Sequence, residues 1–341
     1  AVTGAGTELD VTALEEALRE RVRGEIRFDA GSRGAYSTDG SNYRQVPIGV
    51  VVPRDVDAGA EAVAVCARFG APVLSRGGGT SLGGQCTNTA VVIDWTKYCD
   101  RLVSLDVERR TCVVEPGIVL DELNRQLSAH GLKFGPKPST HSHCSLGGMI
   151  GNNSCGASAQ AYGKTVDNVR RLEIVTYAGT RCWVGPTSDR EYEEITASDD
   201  GRAVLYRGMR DIIDRHLADV RRGYPAIPRR VSGYNLDSLL PENGFDVART
   251  LVGSEGTLVT VVRAELDLVP VPAYEAMVVL GYDDICAAAD DVPRLLAHCD
   301  PELLEAIDGR MAQLMRAEGS HLDSLGQFPE GESWLLVQCS G

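Results

Sequence analysis

Arg76-Gly77-Gly78-Gly79-Thr80-Ser81-Leu82-Gly83-Gly84-Gln85 carries five glycines in eight positions, between the apolar runs Val73-Leu74-Ser75 and Ala90-Val91-Val92-Ile93-Asp94. A backbone this pliant between two strands can turn tightly and converge several N–H groups on one small anion. Thr80 and Ser81 add hydroxyl donors, and Arg76 adds positive charge. The stretch also reads as a plain glycine-rich hairpin turn, and alone it does not decide between the two. It is not a nucleoside-triphosphate loop, which ends in Gly-Lys-Ser/Thr. Nor does it show the GxGxxG spacing and strand-to-helix setting of a dinucleotide fold.

A second such segment follows, Ser145-Leu146-Gly147-Gly148-Met149-Ile150-Gly151-Asn152-Asn153-Ser154-Cys155-Gly156, and leads into Tyr162-Gly163-Lys164-Thr165-Val166-Asp167-Asn168-Val169. The third is Val252-Gly253-Ser254-Glu255-Gly256-Thr257-Leu258. Glycine, Asn and Ser in three separated, strand-flanked segments suit one extended polar ligand lying along backbone. In this order the segments resemble the FAD-binding domain of the vanillyl-alcohol-oxidase-type flavoproteins. The similarity is strongest to the branch with D-lactate, glycolate and D-2-hydroxyglutarate dehydrogenases, especially its long iron–sulfur-fused members, and it runs over about residues 30–275.

That resemblance implies an α+β fold: a two-subdomain FAD-binding domain followed by the first part of an α+β substrate cap. The expected divisions are a helix and lead-in segment at 1–46, the FAD-binding domain at 47–272 and an incomplete cap at 273–341. The subdomains fall at about 47–100 and 101–272.

Composition describes an ordinary soluble protein. The chain has 341 residues, 43% hydrophobic and 24% charged, enough for two or three domains with real cores. Its net charge of −14 argues against a general nucleic-acid binder. No apolar run approaches the roughly 20 residues of a membrane helix. The start shows neither a charged region before an apolar core nor an initiator Met, so no export signal is expected, and the missing Met suggests a trimmed chain. The ten cysteines include no Cys-x-x-Cys pair, and Cys66 and Cys112 lie in apolar stretches. Free thiols in a reducing cytoplasm are expected, with peripheral membrane contact left open.

Along the chain, residues 11–23 read as an amphipathic helix capped by Asp10, and Phe28 to Tyr43 as an extended loop. Strand 48–53, a helix over 60–67 and strand 72–74 lead to the first glycine loop. Residues 186–202 read as turn-like and Tyr206 to Val220 as helix. Val259 to Val271 is strongly β-forming. Beyond it, strand 277–280, helices at 285–299 and 301–318, and strand 334–337 resemble the opening half of a substrate cap with an open sheet edge. The chain is therefore expected to be the front piece of a longer protein.

The resemblance assigns the pyrophosphate to Arg76, Gly77, Gly78, Gly79, Thr80 and Ser81, with Gln85 in the same loop. It places Pro138, Ser139, Thr140, Gly147, Gly148, Gly151, Asn152, Asn153, Ser154 and Gly156 along the middle of the cofactor and the isoalloxazine edge. Glu255 and Gly256 close the set. The bland alternative for all of them is turns and helix caps. Some members of the wider fold attach FAD through a histidine beside the first glycine triplet. Thr80 stands at that place here, so the FAD is expected to be non-covalent.

His141 and His143 would face one way on a strand, but two ligands fall short of a metal site. No metal ligand is expected in this chain. Arg229 and Arg230 are candidates for holding a substrate carboxylate through paired hydrogen bonds, with Arg230 preferred; Tyr234 and Asn235 could face the same cavity. The branch's Gly-His-x-Gly-Asp-Gly-Asn-x-His-like segment, which supplies a divalent-metal site and a histidine base in several members, has no match. The base is expected beyond residue 341. A divalent metal and an iron–sulfur cluster are expected only in a full-length protein, where a fused iron–sulfur domain would accept electrons.

The reaction implied is oxidation of a D-2-hydroxy acid to the 2-oxo acid by hydride transfer to flavin N5, with D-2-hydroxyglutarate first and D-lactate next. An oxygen-using sugar or alcohol oxidase of the same fold, the UDP-N-acetylenolpyruvoylglucosamine reductase group, and a non-catalytic FAD-binding module are the alternatives.

Overall fold

In the computed structural model, residues 9–227 and 229–341 are described. Asp10 caps the first helix, α1 (Val11–Arg21), by accepting from the Ala13 N–H at 3.0 Å, and Leu14 and Leu18 face inward. Then come β1 (Gly24–Arg27) and α2 (Ala30–Ala35), the latter inside the stretch read as loop. β1 was not legible because only Ile26 of its four residues is buried. It exists because it pairs antiparallel with β2 (Gly49–Pro53), whose edge it covers.

α3 (Val56–Arg68), β3 (Val73–Arg76) and β4 (Val91–Asp94) complete the first unit. The sheet order is β1-β2-β4-β3, with β4 parallel to both β2 and β3. β2 and β4 are buried at every position, as an apolar strand covered on both faces must be. α3 packs Ala62, Val63 and Cys66 into the same core. Burial pushes the Cys66 thiol up to about 12, so it is a protonated core residue.

The second unit runs through β5 (Leu102–Asp106), β6 (Thr111–Val114), α4 (Leu120–Leu127), β7 (Leu132–Lys133), α5 (Leu146–Asn152), α6 (Ala159–Tyr162), β8 (Val169–Val175), β9 (Arg181–Val184), α7 (Asp189–Thr196), α8 (Gly201–Gly223), α9 (Val247–Leu251), β10 (Thr260–Asp267) and β11 (Val269–Pro270). Five of its strands form an antiparallel sheet in the order β5-β6-β10-β8-β9, and β7 pairs separately with β11. β10 alternates buried and half-buried residues along its length, and its buried Ala264 and Leu266 join the core with Leu123 and Met149. α7 corrects the turn-like reading of 186–202. Ser188 caps it, and Tyr192 and Ile195 supply an inner side too narrow to stand out among acidic neighbours.

The third unit is β12 (Glu275–Tyr282), α10 (Ile285–Leu296), β13 (Leu303–Asp308), α11 (Gly309–Glu318), α12 (Leu322–Leu325) and β14 (Ser333–Ser340), with strand order β12-β14-β13. Here the expected helix over 301–318 is half wrong. Leu304 and Ile307 continue into Met311 and Leu314 at helical spacing, yet residues 303–308 pair with β14 from Gln338 to Ser333. Leu304 joins one apolar cluster and Ile307 the other, as strand alternation requires. Tertiary pairing outweighs the helical propensity of Leu, Glu and Ala there. Lys133 of β7 reaches across to Glu302, just before β13, at 2.7 Å.

Candidate functional site

The three glycine segments meet around α5. Ser145 caps that helix, its hydroxyl accepting from the Gly148 N–H at 3.3 Å. The first loop lies against this end: a Cβ on Gly77 would collide with the Ser145 hydroxyl, and one on Gly78 with the His143 carbonyl oxygen. The third segment hangs from the other end, where Ile150 O accepts from Gly253 N at 2.9 Å and Gly151 O from Glu255 N at 2.9 Å. Gly156 packs against the Lys137 carbonyl and brings the loop 138–140 alongside. Glycine at 77, 78 and 156 is therefore demanded by loop-on-loop packing.

Between these segments lies a cleft of about 730 Å³. The first loop contributes Gly77 to Gly83 and Gln85, and the proline loop contributes Pro138 to Thr140. Gly148 and Asn152 to Cys155 line it from α5 and its exit, and Ser254 and Glu255 from the third segment. Among the described residues, the backbone N–H groups of Gly77, Gly78, Gly79, Thr80, Ser81 and Leu82 donate to no protein acceptor. Six unspent donors on one loop facing a cleft are what an extended anion needs. The donor set thus fits the pyrophosphate of a dinucleotide.

Several predicted residues also hold the cleft in shape. The Arg76 guanidinium donates to Cys86 O at 2.8 Å, which joins the two ends of the first loop, and to Thr38 O at 2.9 Å, which ties the loop to the segment between α2 and β2. Gln85 Nε2 donates to Glu255 Oε1 at 3.4 Å, joining the first segment to the third. Asn153, at φ 48, accepts from Val166 N at 3.0 Å and ends α5. Gly147, Gly151 and Gly256 border a narrower chamber contiguous with the cleft.

Arg230 does not line the glycine cleft. Its guanidinium pairs with both oxygens of Asp237 at 2.8 Å and stacks 4.3 Å from the Tyr224 ring centroid, beside a separate polar hollow. Asn235 donates to Arg249 O and Val252 O and is buried. Arg229 does not line the cleft either, but its Nε lies 3.2 Å from the Sγ of Cys155, which does. Tyr234 lines the cleft and hydrogen-bonds Thr257 at 2.8 Å.

The histidine pair is split, because 139–143 is a turn and not a strand. His141 pairs with Asp121 at 2.7 Å, and His143 with Ser142 at 2.8 Å. Sequence reasoning passed over Ser145, Cys155 and Ser254 as lining residues, although all three sit inside the segments quoted. Burial raises the Cys144 thiol at the cleft wall, so it stays protonated.

The fold and this site define an FAD-binding α+β protein of the vanillyl-alcohol-oxidase type. Residues 47–185 match the family described as "FAD binding domain". FAD, held without a covalent link, is the cofactor. Among relatives, a D-2-hydroxyglutarate dehydrogenase from Pseudomonas putida is 34% identical over 307 residues, covering 88% of this chain and 30% of that protein. The glycolate oxidase subunit GlcD of Bacillus subtilis is 28% identical over 293 residues, covering 84% of this chain and 52% of that protein. A solved structure of alkyldihydroxyacetonephosphate synthase superposes with a TM-score of 0.67 at 16% identity, over 100% of this chain and 57% of that one, which is a likeness of fold alone. The chain therefore spans about a third to a half of the length of these curated relatives. Among the described residues no helix is long and apolar enough to cross a membrane.

Proposed function

We propose that this chain is the flavin-holding part of a dehydrogenase that oxidises a D-2-hydroxy acid to the 2-oxo acid, with D-2-hydroxyglutarate as first substrate and D-lactate as second. The observation that carries the reading is the cleft itself, with six unspent N–H donors on its first loop and three glycine segments closing on it. The names of the relatives, which include D-2-hydroxyglutarate dehydrogenase and a glycolate oxidase subunit, support the substrate class. When bound, FAD supplies the two-electron acceptor for the α-hydrogen of the acid.

The chain's own residues place and screen. Gly77 to Ser81 hold the pyrophosphate through N–H and hydroxyl donors, while Pro138 to Thr140 and Asn152 to Ser154 line the wide part of the cleft. Arg229, bonded to the cleft residue Cys155, is the proposed cation beside that site. Among the described residues its hydrogen bond to Cys155 is the one it makes, which leaves its terminal nitrogens for a carboxylate. The base and the electron acceptor are assigned to no residue of this chain, and a fused iron–sulfur domain stays the proposed acceptor.

The test is anaerobic mixing of the flavin-loaded full-length protein with each acid, followed by absorbance near the flavin maximum. D-2-hydroxyglutarate should bleach the flavin on the order of 1 s⁻¹ or faster, with D-lactate slower and the L-enantiomers inert. No bleaching by any 2-hydroxy acid would sink the reading, and stoichiometric peroxide on turnover in air would move it to an oxidase.

The two arginines separate by a second measurement in the same protein. Arg229→Ala should raise KM for the hydroxy acid by about tenfold, the worth of a charge-assisted pair, with unchanged melting temperature. Arg230→Ala should lower the melting temperature instead, because Asp237 and the Tyr224 face lose their partner. A raised KM in Arg230→Ala together with a normal one in Arg229→Ala would reverse the assignment.

A further inference from the structure

Two of the ten free cysteines meet in the third unit, apart from the glycine cleft. Cys299 follows the last turn of α10, where its backbone N–H and its thiol both donate to the Leu295 carbonyl, at 3.0 Å and 3.4 Å. Cys339 stands on β14, and strand alternation turns it with Leu335 and Val337 toward α10. There it packs on the cluster of Ala288, Leu335 and Val337, against which the Leu295 side chain also packs. Each cysteine is thus placed beside Leu295 by its own element. The backbone fixes the approach as well. Glu302, three residues after Cys299, donates its N–H at 2.7 Å to the carbonyl of Gln338, the residue before Cys339. The two thiols are in side-chain contact.

Neither thiol is sealed in a core. Both residues are half-buried, unlike Cys66 and Cys112, whose thiols burial pushes up to about 12. A small reagent can therefore reach the pair. Burial, then the neighbouring Cys339 thiol, raises the Cys299 thiol, so it rests protonated and exchange starts from the fraction that ionises. Cys286 is the natural contrast in the same unit. It is exposed on the first turn of α10, the helix length of roughly 18 Å away from the pair.

We propose that Cys299 and Cys339 are a dithiol site that a small disulfide, of the class of oxidised glutathione, converts into an intramolecular disulfide. One cysteine loses its proton to solvent, and its thiolate attacks the small disulfide, from which one glutathione thiolate leaves. The second cysteine, likewise deprotonated, attacks the protein-side sulfur of that mixed disulfide and releases the second glutathione. Two protein thiols are oxidised, one glutathione disulfide is reduced, and the two protons end on the released glutathione thiols. The new bond ties the turn before β13 to the end of β14, beside Glu302, which holds the third unit to Lys133. It closes residues 299–339 into a loop containing β13, α11 and α12, and so restrains the unfolded form of that unit. The site depends on neither the cofactor nor the substrate.

The test is to incubate the native full-length protein with oxidised glutathione, alkylate the remaining thiols, and identify the tryptic peptides by mass. Cys299 falls in residues 295–310, Cys339 in the peptide that begins at residue 317, and Cys286 in residues 264–294. The first two should appear joined and free of glutathione, while Cys286 carries a single glutathione. Dithiothreitol should separate the joined pair. Cys299→Ser should leave Cys339 with one glutathione in place of the cross-link, and Cys339→Ser gives the mirror result should Cys299→Ser not fold. The oxidised wild type should also resist urea better than the reduced one. By Trp334 fluorescence its unfolding constant should fall roughly 100-fold, a gain absent from either variant. Separate glutathione adducts on Cys299 and Cys339, a cross-link from either to a different cysteine, or recovery of both as free thiols overturns the proposal.

Discussion

Gly78→Val is expected to weaken FAD binding by about 100-fold, equivalent to about 3 kcal/mol, while Gly83→Ala five residues along changes it by less than about twofold. The contrast comes from what each new side chain meets. At Gly78 a Cβ runs into the backbone carbonyl of His143, which sits in a turn packed on α4 and cannot swing aside. The first loop has to lift off the second, and its six unspent donors lose their places along the cleft. At Gly83 the nearest atom is the far end of the Gln85 side chain, at 3.0 Å, which can rotate away. Titration of the flavin-free protein with FAD, followed by quenching of flavin fluorescence, gives both constants. Far-ultraviolet circular dichroism should stay native for both, since the strands flanking the loop are set by β4. Equal FAD affinity in wild type and Gly78→Val would remove the first loop from the cofactor seat.

That result also marks what could be read in advance. The glycine density of 76–85 signalled a tightly turning backbone with N–H groups to offer an anion, and the repeated Gly, Asn and Ser segments signalled that three such places served one ligand. What the crowding partner was could not be read, since Gly78 meets His143 and Gly156 meets Lys137 only after the chain has folded over α5. β10, β2 and β4 were legible as runs of β-branched and apolar residues, the first alternating buried with half-buried positions and the other two buried throughout. β1 and β13 were not, because the first carries one buried residue and the second a helix-like spacing, and each becomes a strand only against a neighbour.

The arginine pair could not be told apart for a related reason. Arg229 and Arg230 are adjacent and chemically identical, yet one bonds the cleft residue Cys155 and the other pairs with Asp237. Only the path of the backbone separates them.

The contact that binds the third unit to the second should behave as a buried ion pair. Lys133 and Glu302 meet at 2.7 Å with their side chains 19% and 8% exposed, and the ammonium lies 4.9 Å from the Tyr162 ring centroid. Removing one charge strands the other away from water. Lys133→Met is therefore expected to destabilise by about 3–5 kcal/mol, and the double variant Lys133→Met/Glu302→Leu by much less. The pair also predicts a pH window. Burial pushes the Glu302 carboxyl up, but the Lys133 ammonium, with hydrogen bonds from the Ser340 and Tyr162 hydroxyls, outweighs it and holds the carboxyl below its ordinary value. Burial pulls Lys133 down, and Glu302 more than reverses that. A carboxyl depressed by folding contributes stability that is present above its unfolded pKa and lost as pH falls through the folded one. A lysine raised by folding contributes below its unfolded pKa and loses it as pH rises through the folded one. The stability difference between wild type and the double variant should then be flat from about pH 5 to 10 and shrink beyond both ends. Urea unfolding across that range, followed by the fluorescence of Trp334 in β14, reads it directly. A single variant no less stable than the double, or a difference that grows below pH 4, would show that the charges do not hold the two units together.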